Sequence, residues 1–90
     1  MTIADSGTDR AAVAAVVVAA LAAAAGLAAD QIETSQRLTR IPGVESVTIL
    51  RAVVRIEDRY GINVPDDFIF ETATVADLID LVAGIVGGPR

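Results

Sequence analysis

Ser46-Val47-Thr48-Ile49-Leu50-Arg51-Ala52-Val53-Val54-Arg55-Ile56-Glu57-Asp58-Arg59-Tyr60-Gly61 is the stretch around which the rest of the chain arranges itself. At about 100° per residue, Ile49, Val53, Ile56 and Tyr60 fall on one side of a helix, and Val47, Leu50 and Val54 continue the apolar arc. Arg51, Arg55 and Arg59 follow at i, i+4 and i+8 as a basic stripe opposite the core. Gly61 is the expected stop, with Arg55 and Arg59 toward the negative C-terminal end. Apolar positions take roughly half the circumference, more than one neighbour requires. The arc is therefore either wholly buried or partly left for a ligand or partner.

Upstream, Val13, Val16, Val17, Leu21 and Ala24 recur at three- and four-residue spacing, which predicts a first helix from about Asp9 to Ala25. Thr8 or Asp9 can cap its start, and Gly26 ends it. Gly26 to Glu45 lacks periodicity and collects Asp30, Thr34, Ser35, Thr39, Pro42 and Gly43, a long connection for a small domain. Leu27, Ile32, Leu38 and Ile41 are the residues that can pin it to the core. Downstream, Val64-Pro65-Asp66-Asp67 breaks the helical pattern and Phe68-Ile69-Phe70 forms a short apolar turn. Thr72 or Thr74 opens the last helix, with Asp77 three residues after Thr74 as in a capping box and Val75, Leu78, Ile79 and Val82 as its apolar face. The expected fold is all-α, a small antiparallel four-helix bundle of three main helices and one short one, with the long loop between helices 1 and 2. A flexible N-terminus over 1–8, one domain over 9–84 and a flexible tail over 85–90 complete the organisation.

Composition removes most catalytic chemistry. The 90 residues include no Cys, His or Trp, and all seven basic residues are Arg, so Lys is absent too. No disulfide, thiolate nucleophile, imidazole base, Schiff base or P-loop ammonium is available. Asp66, Asp67 and Glu71 cluster after Pro65 without an orienting base or electrophile, which reads as helix-start chemistry rather than an active site. A net charge of −5 with 3% aromatic residues argues against nucleic acid as a partner.

Ala11 to Ala29 is an unbroken apolar run of nineteen residues, long enough for a membrane helix. Thirteen of them are Ala or Gly, and the residues that drive insertion are only Val13, Val16, Val17, Val18, Leu21 and Leu27. A helix of a soluble domain is the expectation, and a membrane-active segment is the competing one.

Read together, Leu38-Thr39-Arg40-Ile41-Pro42-Gly43-Val44-Glu45-Ser46-Val47, then Ile56-Glu57-Asp58-Arg59-Tyr60-Gly61-Ile62-Asn63-Val64-Pro65-Asp66-Asp67, then Thr74-Val75-Ala76-Asp77-Leu78 resemble the acyl carrier protein family. That family carries Gly-x-Asp-Ser-Leu, a helix ending in Phe/Tyr-Gly-Ile, Ile/Val-Pro-Asp and a late Thr-Val-x-x-Leu. The resemblance spans about residues 9 to 84. It implies that Ser46 receives 4′-phosphopantetheine from coenzyme A through a phosphopantetheinyl transferase. The arm's thiol then holds acyl groups as thioesters, importing the sulfur that the chain lacks. A helix N-terminus also suits a phosphodiester, because its free N–H groups and positive dipole end favour an anion. An ordinary N-cap is the plainer use of a serine there.

Three departures from the family pattern carry information. The family's Asp before the serine is Glu45, which keeps the carboxylate that engages the transferase and its magnesium but lengthens its reach. The Leu after the serine is Val47. The family's acidic second helix is here basic at Arg51, Arg55 and Arg59, with Glu57 and Asp58 retained. Val47, Leu50, Arg51, Val54, Arg55 and Arg59 are the expected partner-binding surface, and its charge points to partners with acidic patches. Pairing of those arginines with Asp58 and nearby acids is the simpler account. The expected role is a freestanding acyl carrier that is not itself an enzyme. It would be monomeric and cytoplasmic, and would serve acyltransferase- or ketosynthase-type enzymes of polyketide or other specialised metabolism. An aminoacyl or peptidyl carrier, or an unmodified helical interaction module, are the alternatives.

Overall fold

The computed structural model describes residues 10–65 and 73–87. Three helices carry the fold: α1 (Arg10–Ala25), α2 (Ser46–Tyr60) and α3 (Val75–Gly87). Single 3-10 turns at Ala29–Gln31 and Leu38–Arg40 interrupt the connection between α1 and α2. The expected short fourth helix, the Thr8/Asp9 cap, Thr72 and the carboxylates Asp66, Asp67 and Glu71 lie outside the described residues. Among the described residues the one β-type pairing is an antiparallel bridge between Arg37 and Thr74.

Local chemistry sets the ends of the helices. At the end of α2, Gly61 adopts φ +67, where a side chain would be strained. The amides of Gly61 and Ile62 both donate to the Glu57 carbonyl, at 2.7 and 3.2 Å, closing a Schellman-type cap. The same cap ends α1, with Leu27 N–H on the Ala22 carbonyl at 2.9 Å. α3 opens on the expected box: Asp77 N–H donates to Thr74 Oγ1 at 3.1 Å, and Thr74 N–H donates to Asp77 Oδ2 at 3.0 Å. α3 runs through Gly84 to Gly87, so Ile85 and Val86, expected in the tail, are helical and pack partly buried on the core.

α1 lies against both α2 and α3. Val13, Val17 and Leu21 of α1, Ile49, Val53 and Ile56 of α2, and Leu78, Ile79 and Val82 of α3 fill the core. Removing each such side chain from water contributes roughly 1.5–3 kcal/mol. On α1 the expected face is shifted: Ala20 and Ala22 are buried, while Val16 and Ala24 are only half-buried. An exposed ion pair, Arg10 Nε to Asp80 Oδ1 at 2.6 Å, links α1 to α3. α1 is 16 residues long, and no helix among the described residues is long and apolar enough to cross a membrane.

The long loop is pinned as its apolar residues suggest, with Ile32, Leu38 and Ile41 buried and Leu27 partly so. It is also tied by its backbone. Leu38 N–H donates to the Ala73 carbonyl (3.0 Å), Val75 N–H to Gln36 (2.9 Å) and Ala76 N–H to Thr34 (2.8 Å). This strap holds residues 34–38 against the start of α3.

Candidate functional site

The approach to α2 is built to deliver Ser46 in one orientation. Ile41 is buried, Pro42 and Gly43 follow, and Val44 N–H returns to the Ile41 carbonyl at 3.0 Å. Proline at the second position and a glycine at φ +78 at the third are the requirements of a type II turn. The chain leaves this turn extended at Glu45, with φ −122 and ψ 176, and enters the helix at Ser46.

Glu45, not Ser46, therefore occupies the N-cap position, and its side chain makes no capping hydrogen bond. The first helical bond is Ile49 N–H to the Glu45 carbonyl at 3.0 Å. Among the described residues, the amides of Ser46, Val47 and Thr48 have no partner, and neither has the Ser46 hydroxyl. Ser46 and Glu45 are both exposed. The plain-cap account of Ser46 thus has no hydrogen bond behind it. What the arrangement offers is an exposed hydroxyl and three free N–H donors at the positive end of a 15-residue helix, beside a free carboxylate.

Along α2 the question of a wholly buried arc is decided by exposure. Ile49, Ala52, Val53 and Ile56 are buried and Tyr60 is half-buried, whereas Val47 is 52% exposed, Leu50 37% and Val54 53%. Val47, Leu50 and Val54 line a shallow groove of about 440 Å³ with Arg51 and Arg55. Arg59 is not in that groove. It lines a second one, of about 400 Å³, with Arg55, Val16, Ala19, Ala20 and Ala23. The α1 side of this second groove is absent from the sequence expectation; its trace is Val16, assigned to the core face but only half-buried.

None of Arg51, Arg55 and Arg59 forms an ion pair among the described residues. The neighbouring acids do not neutralise them. Glu57 Oε2 accepts the Val64 N–H at 2.8 Å, and Asp58 stays exposed without an arginine partner. Pairing with Asp58, the simpler account of the stripe, is thus not formed. Among the described residues no group of three acidic, His or Cys side chains could hold a metal.

Comparison with known proteins bears on this site. Residues 15–82 match the family described as phosphopantetheine attachment site. The acyl carrier protein of Arthrobacter sp. (strain FB24) is 28% identical over 58 residues, 64% of this chain and 72% of that protein. The acyl carrier protein of Myxococcus xanthus is 27% identical over 59 residues, 66% and 75% of the two chains. That of Tropheryma whipplei (strain Twist) is 38% identical over a shorter 39 residues, 43% of this chain and 48% of the other. No solved structure matches the chain.

Proposed function

The chain belongs to the acyl carrier proteins, its phosphopantetheine attachment domain spanning residues 15–82, and we propose that the attachment residue is Ser46 and that the protein acts as a freestanding carrier. Domains of this family carry covalently attached 4′-phosphopantetheine and are carriers rather than catalysts. The observation that supports Ser46 is the open start of α2: an exposed hydroxyl on the first helical residue, engaged in no cap, with the amides of Ser46, Val47 and Thr48 unpaired among the described residues.

Each residue then has a task. Ser46 Oγ gives up its proton and forms the ester to phosphorus, with adenosine 3′,5′-bisphosphate leaving from coenzyme A. The N–H groups of Ser46, Val47 and Thr48 and the dipole of α2 favour the resulting phosphodiester anion. Glu45, free of capping duty, offers its carboxylate to the magnesium of the phosphopantetheinyl transferase. The prosthetic group supplies a terminal thiol for holding acyl groups as thioesters, chemistry that a chain without Cys cannot supply itself.

Val47, Leu50, Arg51, Val54 and Arg55 form the surface offered to partner enzymes of the acyltransferase or ketosynthase type, with Arg59 continuing it. The basic character of α2 favours dedicated partners of a specialised pathway such as polyketide synthesis. Acyl rather than aminoacyl cargo is supported by the relatives' names, and a monomer in the cytoplasm is the working form.

The test is intact mass after incubation with coenzyme A, Mg²⁺ and a broad-specificity phosphopantetheinyl transferase. The wild-type chain is expected to gain one phosphopantetheine increment and Ser46→Ala none. No gain with that enzyme or with one from the source organism would reject loading and leave an unmodified interaction module. A gain on Ser46→Ala would move the site.

A further inference from the structure

Arg55 belongs to both grooves. The two depressions lie on either side of one line of guanidinium groups, Arg51, Arg55 and Arg59, with Val47, Leu50 and Val54 flanking it on one side and Val16 of α1 on the other. The geometry points to a partner helix laid along α2, an acidic amphipathic helix whose carboxylates at i, i+4 and i+8 meet the three arginines while its flanking apolar side chains enter the two grooves. This rests on the carrier reading and extends it to the chemistry of the partner.

Charge carries the argument. The chain as a whole has a net charge of −5, yet this face presents three exposed arginines that pair with no acid among the described residues. Asp58, three residues after Arg55 on the helix, makes no ion pair among the described residues, and Glu57, two residues from Arg55 and Arg59 and so not facing them, accepts the Val64 amide. Residues four apart on a helix rise about 6 Å along its axis, so a helical partner repeats its carboxylates at the same interval as the arginines. A second copy of this chain does not supply such a stripe among its described helices. α3 carries Asp77 and Asp80 at i, i+3, the first engaged with Thr74 and the second with Arg10. An anionic membrane is opposed by the net negative charge of the chain.

The test is ¹⁵N-resolved NMR titration of the full chain, in the Ser46→Ala form and in the phosphopantetheine-loaded form. The probe is an 18-residue helical peptide with Glu at three positions four apart flanked by Leu, compared with its Gln counterpart. Shifts are expected at Val47, Leu50 and Val54 and at Val16 and Ala19 in both forms of the chain, with the Gln peptide binding roughly tenfold more weakly or worse. Arg55→Glu, at an exposed position, should abolish binding of the Glu peptide and admit its Lys counterpart. Equal binding of the Glu and Gln peptides, shifts confined to α3, or no shifts would overturn the proposal. So would shifts of these residues that depend on chain concentration alone, which indicate a second copy, or that need anionic vesicles, which indicate a membrane. Because the Ser46→Ala form is included, failure of peptide binding leaves the loading assay standing, and failure of loading leaves the docking result standing.

Discussion

The starts of α2 and α3 are built in opposite ways. At α3, every early amide has a partner: Val75 on Gln36, Ala76 on Thr34, Asp77 on the Thr74 hydroxyl and Leu78 on the Thr74 carbonyl. At α2, the amides of Ser46, Val47 and Thr48 have none among the described residues, and the acid at the N-cap turns its carboxylate elsewhere. An N-cap side chain stabilises a helix by roughly 1 kcal/mol, so α2 forgoes a gain that α3 takes. The satisfied end belongs to architecture. The unsatisfied end, exposed and bearing a hydroxyl, leaves donors at the positive end of the helix, where an anion is favoured.

Urea unfolding of single variants can break or sharpen this contrast. The largest change is expected from Leu38→Ala, which removes a fully buried side chain from the strap that caps α3 and should cost about 2–5 kcal/mol. Thr74→Ala removes one arm of the α3 box, and a loss of about 1 kcal/mol is expected. Glu45→Asn gives α2 the capping side chain it lacks and should raise stability by roughly 0.5–1 kcal/mol while slowing phosphopantetheine transfer in the mass assay. If it lowers stability instead, α2 is not an uncapped helix. The smallest effect belongs to Ser46→Ala, within about 0.5 kcal/mol of wild type, because the hydroxyl makes no bond among the described residues. A loss well above that would mean the serine is structural.

Features set by neighbours in sequence were legible from it. Both ends of α2 followed from the Arg51/Arg55/Arg59 and Ile49/Val53/Ile56 spacing and from Gly61, and the Thr74–Asp77 box could be read directly. The buried loop anchors Ile32, Leu38 and Ile41 could be picked out because they are apolar residues in an otherwise polar connection. The strap could not, since it joins backbone groups of residues 34–38 and 73–76, and backbone groups leave no mark in side-chain pattern. The groove beside Val16 was hidden for another reason. From Ala11 to Ala25, α1 has no polar face, so its periodicity cannot say which apolar side is covered. At Ser46 the sequence supported both a cap and an attachment point, and the placement of Glu45 at the N-cap takes the cap away from Ser46.

The strap also closes the chain on itself. Its bonds between Leu38 and Ala73 and between Gln36 and Val75 turn everything between them, α2 included, into a loop tied at both ends without a covalent link. Joining ends that far apart costs roughly 3 kcal/mol of chain entropy, a non-local step that the turn-by-turn bonds of α2 do not share. The helix bearing the serine is thus the interior of a tethered ring, and the knot of that ring lies at residues that neither carry the serine nor line the grooves. An arm can be attached at Ser46, and a partner can grip α2, without untying it.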